Sequence, residues 1–297
     1  MTAAKAVILA LQGSIFLTVF SLGLQATFQD AASLLRRPRL LLRSLISMNV
    51  IMPLFAASLA QAFSLYPAVK AALVLLAVSP VPPMLPRQQL KTGGSSSYVC
   101  GLLATTSLLA IVTVPVSIVV LARLFHQNAG ISSAAVAKVV FTTVLLPLGL
   151  GILVHTLAPG FAQRRAGMVY KAGLAILVLL GLPLLFVASG RMLALLGRGT
   201  LLALAAFVVA GVAIGHWLGE PDPANRTVLA LATASRHPGL AIAIATANFP
   251  AQGRLIAAAI LLYVIVKAFV LIPYNSWSKR RIVASASPAK EPGERAA

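Results

Sequence analysis

The chain has 297 residues, 59% of them hydrophobic and only 10% charged, with a mean hydropathy of +0.95 and a formal net charge of +19. Soluble domains carry roughly 25% charged residues, and apolar runs of about 18 residues or more recur here from end to end, which marks a polytopic membrane protein. Open sheets cannot satisfy their edges in lipid, and the short alternating segments of a β-barrel are absent, so the class is all-α.

Nine membrane-spanning segments are predicted in chain order, over 6–24, 40–62, 67–86, 97–122, 135–158, 170–189, 200–219, 226–249 and 254–277. The first resembles a secretory signal in its Lys5, apolar stretch and Ala26. Its apolar stretch is long for such a signal, so a retained first span is expected. The loops are short and leave no room for an inserted soluble domain. From Ser278 the chain turns polar and rich in Pro, Ala and Ser, which predicts a disordered tail over 278–297.

The basic residues lie mostly between apolar runs, where they orient a membrane protein. The net charge therefore points to the lipid bilayer and not to nucleic acid. With nine spans, one side collects Arg36, Arg37, Arg39, Arg43, Arg87, Lys91, Arg164, Arg165, Lys171, Arg226, Lys279, Arg280, Arg281, Lys290 and Arg295. The other side has only Lys5, Lys70, Arg123, Lys138, Arg191, Arg198 and Arg254. The positive-inside rule then puts the N-terminus outside and the C-terminus in the cytoplasm, as expected for a plasma membrane (bacterial inner membrane) protein. Oligomeric state leaves no mark on the sequence. Cys100, the single cysteine, excludes a disulfide framework and a cysteine metal cluster, and reads as a small packing residue.

Two spans are interrupted. The third contains Ser79 to Pro86, SPVPPMLP, and the eighth contains Ser235 to Gly239, SRHPG. Proline removes a backbone donor and clashes with the preceding turn. Backbone groups freed in this way are tolerated at membrane depth only inside a protein-lined cavity. Paired breaks in separated halves of a chain are also the best sequence pointer to a transporter binding site. Pro82 and Met84 belong to the first break. In the second, Pro238 suits the first turn of a new half-helix and Gly239 permits close approach. The exposed amides of that half-helix favour negative charge. Ser235, Arg236 and His237 stand immediately before it.

Arg236 and Lys267 each lie near the centre of an apolar run, and none of the five acids falls within any predicted span. A charge at mid-membrane costs about 2.5–3.5 kcal/mol on insertion scales. Arg236 is too far from either end of its span to reach the interface readily. A bound anion is the natural counter-charge. His237 reads equally well as a packing histidine. An uncharged Lys267 would need no counter-ion and would be able to carry a proton. His126, His155 and His216 lie near span ends and are expected at the interface. Ser95 and Ser96 follow Gly93-Gly94 as loop, and Ser97 stands at the mouth of the fourth span.

Several stretches together resemble the bile acid:sodium symporter family, over about residues 10–277. They are Phe20-Ser21-Leu22-Gly23-Leu24 with Phe28 and Asp30; Arg37-Pro38 and Met52-Pro53; Ser79-Pro80-Val81-Pro82; Leu146-Pro147-Leu148-Gly149 with His155; and Pro238-Gly239-Leu240-Ala241 with Ala245 and Phe249. The resemblance implies inverted repeats, a core domain (about 40–122 and 200–277), a panel domain (about 6–24 and 135–189), and two broken helices crossing in the core. Nine spans imply that the first of the family's frequent ten is missing. The departures fall at the ion sites. Ala232 stands where the family has a sodium-binding Glu, Arg236-His237 where it has Gln-Asn, Lys267 at an Asn position, and Met84-Leu85 near a Ser-Asn pair.

Sodium wants hard oxygen ligands and loses its carboxylate here. The expected function is therefore an alternating-access carrier for a small organic anion, with Arg236 and Lys267 standing in for sodium. Its expected substrate-binding residues are Arg236, His237, Lys267, Gly239, Ser235, Pro82 and Met84. The alternative is a sodium-coupled symporter using hydroxyl and carbonyl oxygens, with Thr233, Ser235, Ser97, Thr105 and Thr106 as candidate ligands. A transport-inactive sensor or assembly protein is a further alternative. A membrane enzyme would need an acid pair, a metal cluster or a nucleophile with its base, and the spans offer none of these. No resident cofactor is expected.

Overall fold

Each of the nine predicted spans is met by helix. In the computed structural model, residues 3–124, 132–219 and 221–286 are described, and no strand occurs among them. The first span is α1 (Ala3–Gly23). A short α2 (Phe28–Ala32) follows, started by a capping box in which Thr27 and Asp30 satisfy each other's backbone N–H. The second span joins α3 (Pro38–Leu45) to α4 (Met52–Ala62) through a π-helical turn, Ile46–Ile51. The third is broken into α5 (Pro67–Val78) and α6 (Leu85–Lys91), and the fourth is α7 (Ser96–Leu124). The fifth joins α8 (Ser133–Val140) to α9 (Leu146–Leu157) through a second π turn, Phe141–Leu145. Then come α10 (Pro159–Ala194) and α11 (Thr200–Leu218). The eighth span is broken into α12 (Pro223–Ala234) and α13 (Pro238–Asn248), and the last is α14 (Gly253–Ala286). Among the described residues, seven helical stretches are long and apolar enough to cross a membrane, and Leu9–Gly23 and Pro67–Val78 are shorter apolar helices.

Both π turns have one cause. Met52 N–H donates five residues back to Ser47 O, and Leu146 N–H five back to Phe141 O. The next residue in each case is a proline, Pro53 or Pro147, which has no N–H to continue the ladder.

Three boundaries differ from expectation. Ser96, expected in a loop, is the first residue of α7. α10 begins eleven residues before the predicted start at 170, because its first turns carry exposed Gln163, Arg164 and Arg165, which hydropathy does not register. α14 continues to Ala286, past the expected start of the tail at Ser278. The Ser278 side chain is buried and bonds Thr227 Oγ1 (2.8 Å) and the Thr92 carbonyl (3.3 Å), which holds the helix against its neighbours. Residues 287–297 and His126 lie outside the described residues. His155 and His216 are partly buried and bond the Leu24 carbonyl and the Tyr274 hydroxyl, each at 2.9 Å.

Small residues bring the helices together. α1 packs on α9 and α10. Gly23 meets Gly151 backbone to backbone, so that a Cβ on Gly23 would lie 2.8 Å from the Gly151 Cα. α11 packs on α12 through Gly211 and Gly215, spaced as small residues are at close membrane helix crossings. α14 packs against α5, α11 and α13 and closes the core around Leu73, Leu76, Phe207 and Tyr263.

Candidate functional site

The two interruptions meet. α5 ends at Val78, and Ser79 to Met84 run without helix before α6 resumes. Pro80, Pro82 and Pro83 account for this, since none can donate and each forces the residue before it toward extended backbone. α12 ends at Ala234, and Ser235 and His237 are extended before Pro238 starts α13. His237 N–H donates to the Pro80 carbonyl at 2.9 Å, joining one break directly to the other.

Tyr263, on α14, bridges the second break. Its hydroxyl accepts from Arg236 N–H (2.9 Å) and donates to the Ala234 carbonyl (2.8 Å). It thereby satisfies two backbone groups that an unbroken helix would have paired. The ring is fully buried and packs edge-on against Phe207, with centroids 6.0 Å apart.

The Arg236 side chain is completely buried. Nη2 donates to the Met48 carbonyl at 3.0 Å, and Nη1 makes a longer contact with the Ser79 carbonyl at 3.4 Å. Local structure explains both acceptors. In the π register of Ile46–Ile51 the donor to Met48 O would be residue 53, which is a proline. Ser79 is the residue that ends α5, so its carbonyl is also left by the helix. The guanidinium thus supplies charge-assisted bonds to two carbonyls that prolines have orphaned.

Three consecutive side chains at this break keep polar atoms that are buried and have no partner: Ser235 Oγ, Arg236 Nε and His237 Nε2. His237 caps α13, its Nδ1 accepting from Leu240 N–H at 3.3 Å. A nitrogen that accepts carries no proton, so a neutral ring bears its proton on Nε2. Each of the three atoms is then able to donate, and they stand at the start of a half-helix whose amides favour negative charge. The two acids among the described residues, Asp30 and Asp222, cap α2 and α12.

Lys267 is half-buried one helical turn beyond Tyr263, its Nζ 5.8 Å from that ring's centre. One tyrosine therefore touches both residues: the main-chain N–H of Arg236 bonds the hydroxyl, and the Lys267 ammonium faces the ring. Gly239 is exposed beside His237, and a Cβ there would lie 3.1 Å from the imidazole. Pro82 is buried within the first break. Met84 lines a separate cavity with Arg87 and Lys91.

Three of the hydroxyls nominated for sodium already have partners within the chain. Thr233 Oγ1 bonds Ser47 Oγ at 3.1 Å, and Thr106 Oγ1 donates to the Leu102 carbonyl at 2.6 Å. Ser97 sits at the start of α7 with Ser95 (3.3 Å between hydroxyls), and nine residues of helix put it about 13 Å from Thr106 along the axis. Thr105 Oγ1 is buried without a partner. Sequence reasoning missed Tyr263 and the acceptor roles of the Met48 and Ser79 carbonyls. The sole signal for Tyr263 was its place four residues before a mid-membrane lysine. The carbonyls of Met48 and Ser79 could have been found by counting back from Pro53 and from the end of α5.

The model of the Sodium Bile acid symporter family matches residues 14–196. That stretch covers most of α1 and everything through α10, including the first break, both π turns and Met48; Arg236, His237, Tyr263 and Lys267 lie beyond it. No curated protein matches the chain. With well over half its length matched and its described residues folded as apolar helices, the chain is an integral membrane protein belonging to the sodium bile acid symporter family, whose members are transporters.

Proposed function

We propose that the protein is a secondary transporter that moves a small organic anion by alternating access, with the Arg236 guanidinium serving in place of a transported sodium ion. The observation that carries this reading is the row of buried, unpartnered atoms on Ser235, Arg236 and His237 where the two breaks cross. A buried donor without a partner costs about 1–3 kcal/mol, so three in succession call for an acceptor that arrives from outside the chain. A carboxylate, sulfonate or phosphate group meets that need, and Lys267 adds a second positive charge beside Tyr263.

The case against sodium is local. Hard cations want several oxygens pointing inward. Here the carbonyls of Met48 and Ser79 face a guanidinium, the Thr233 hydroxyl is engaged with Ser47, and Ala232 offers no carboxylate. In this reading α1 and α8–α10 form the panel, while α3–α7 and α11–α14 form the core that carries the crossing. The N-terminus is outside and the C-terminus is in the cytoplasm of a bacterial-type inner membrane. The second reading, a sodium-coupled symporter, is favoured by the family match itself.

One experiment separates the two. Protein reconstituted in liposomes is assayed for uptake of taurocholate and of small labelled carboxylates, in sodium and in potassium media. Uptake equal in both media, and abolished in Arg236→Gln protein that still elutes as a folded species, is the expected result. Uptake that requires sodium and survives Arg236→Gln would overturn the proposal.

A further inference from the structure

A second concentration of positive charge lies away from the crossing, where α6 and the far end of α14 meet α10. There a cavity of about 300 Å³ is lined by Arg87 and Lys91 from α6, Tyr170 from α10, and Asn275 and Lys279 from α14. No acid lines it. We infer that this cavity, which none of Ser235, Arg236, His237 and Lys267 lines, is a binding site for a phosphate group.

The residues are held in place by contacts that leave their charges unneutralised. Arg87 Nη2 reaches α1, donating to Ser21 Oγ at 3.1 Å, and its guanidinium carbon lies 4.6 Å from the centre of the Tyr170 ring. Lys91 Nζ lies 5.9 Å from the same centre. One tyrosine therefore faces two cations, an arrangement whose mutual repulsion an anion between them would relieve. The bond from Ser278 to the Thr92 carbonyl ties the end of α14 to the end of α6 and presents Lys279 to the cavity.

Two unsatisfied atoms give the chemistry. Arg87 Nε is buried without a partner, and so is Asn275 Oδ1. The first is a donor and the second an acceptor. A protonated phosphate, or a phosphate group beside a hydroxyl, presents acceptor oxygens to the guanidinium and lysines and one O–H to the amide oxygen. Fully deprotonated oxyanions such as sulfate lack that donor. The phosphate has two sources, free in solution or carried on a lipid headgroup, and the cavity's place at the predicted ends of three spans is open to both. Because the lining comes from α6, α14 and α10, and Arg87 also bonds Ser21 of α1, an occupant would tie these helices together.

The test uses the full chain in nanodiscs of phosphatidylcholine, with the thermal midpoint as readout. In one arm inorganic phosphate is titrated at constant ionic strength. In the other, phosphatidylglycerol replaces part of the lipid. A saturable rise in midpoint with inorganic phosphate that is weakened about tenfold or more in Lys91→Gln/Lys279→Gln establishes a site for free phosphate, as expected for removing two charged donors. A rise with phosphatidylglycerol alone, lost in the same variant, establishes a headgroup site. Both lysines are exposed, so the variant is expected to fold, and Arg164→Gln/Arg165→Gln on α10, which removes two exposed charges outside the cavity lining, serves as the matched charge control. No saturable rise in either arm, or an equal rise in the double variant, overturns the inference. Loss of the effect in His237→Gln with retention in the double variant would assign the anion to the crossing and overturn it equally. The inference stands whether or not uptake proves sodium-independent.

Discussion

Arg236 was legible from sequence as a charge with no countercharge, and its full burial removes the interfacial alternative. Its immediate partners were not legible, because main-chain carbonyls have no residue signature and a tyrosine in an apolar run reads as packing. Tyr263 is the residue whose loss should be most informative. Tyr263→Phe keeps the ring against Phe207 but leaves Arg236 N–H and the Ala234 carbonyl unpaired, at about 1–3 kcal/mol for each buried group. The unfolding midpoint in detergent should fall clearly below wild type. An unchanged midpoint would mean that the hydroxyl does not hold the break.

At the level of helices, the guanidinium site is a consequence of proline chemistry in the second and third spans, far from Arg236 in the sequence. Met52-Pro53 was visible as part of a family-like stretch, but the π turn before it was not, since hydropathy carries no information on hydrogen-bond register. If Pro53 orphans the Met48 carbonyl, then Pro53→Ala, which restores an N–H, should make Arg236 less necessary. In a double-mutant cycle, Arg236→Met should cost about 1 kcal/mol less in the Pro53→Ala background than in wild type, a coupling expected of groups sharing one acceptor. Strict additivity in denaturant unfolding would break the link. The α11–α12 contact makes a companion case. A Cβ on Gly211 would sit 2.7 Å from the Ala234 Cα, directly against the second break, whereas one on Gly149 would meet nothing within 4 Å. Gly211→Ala should destabilise by about 1–3 kcal/mol as overpacking does, and Gly149→Ala should not.

For the molecule as a whole, the number and order of spans were readable because each is a long apolar run, and the two breaks because proline clusters are local. The ends of α10 and α14 were not readable, since helices outlast the apolar stretch wherever polar residues still cap, pack or project into water. Orientation is the remaining whole-molecule reading, and it rests on the uneven division of Lys and Arg between the two faces. The chain offers a simple way to check it. Cys100, its single cysteine, is fully buried in α7, so membrane-impermeant maleimide should leave the unaltered protein unlabelled. Gln163 and Gln252 are both exposed, and they lie on opposite faces under the proposed topology. Gln252→Cys, between α13 and α14, should label in intact cells. Gln163→Cys, beside Arg164 and Arg165, should label only after the membrane is permeabilised. The reverse pattern would invert the molecule and place the three-cation cavity on the outer face; equal labelling of both in intact cells would mean that an odd number of crossings does not separate them.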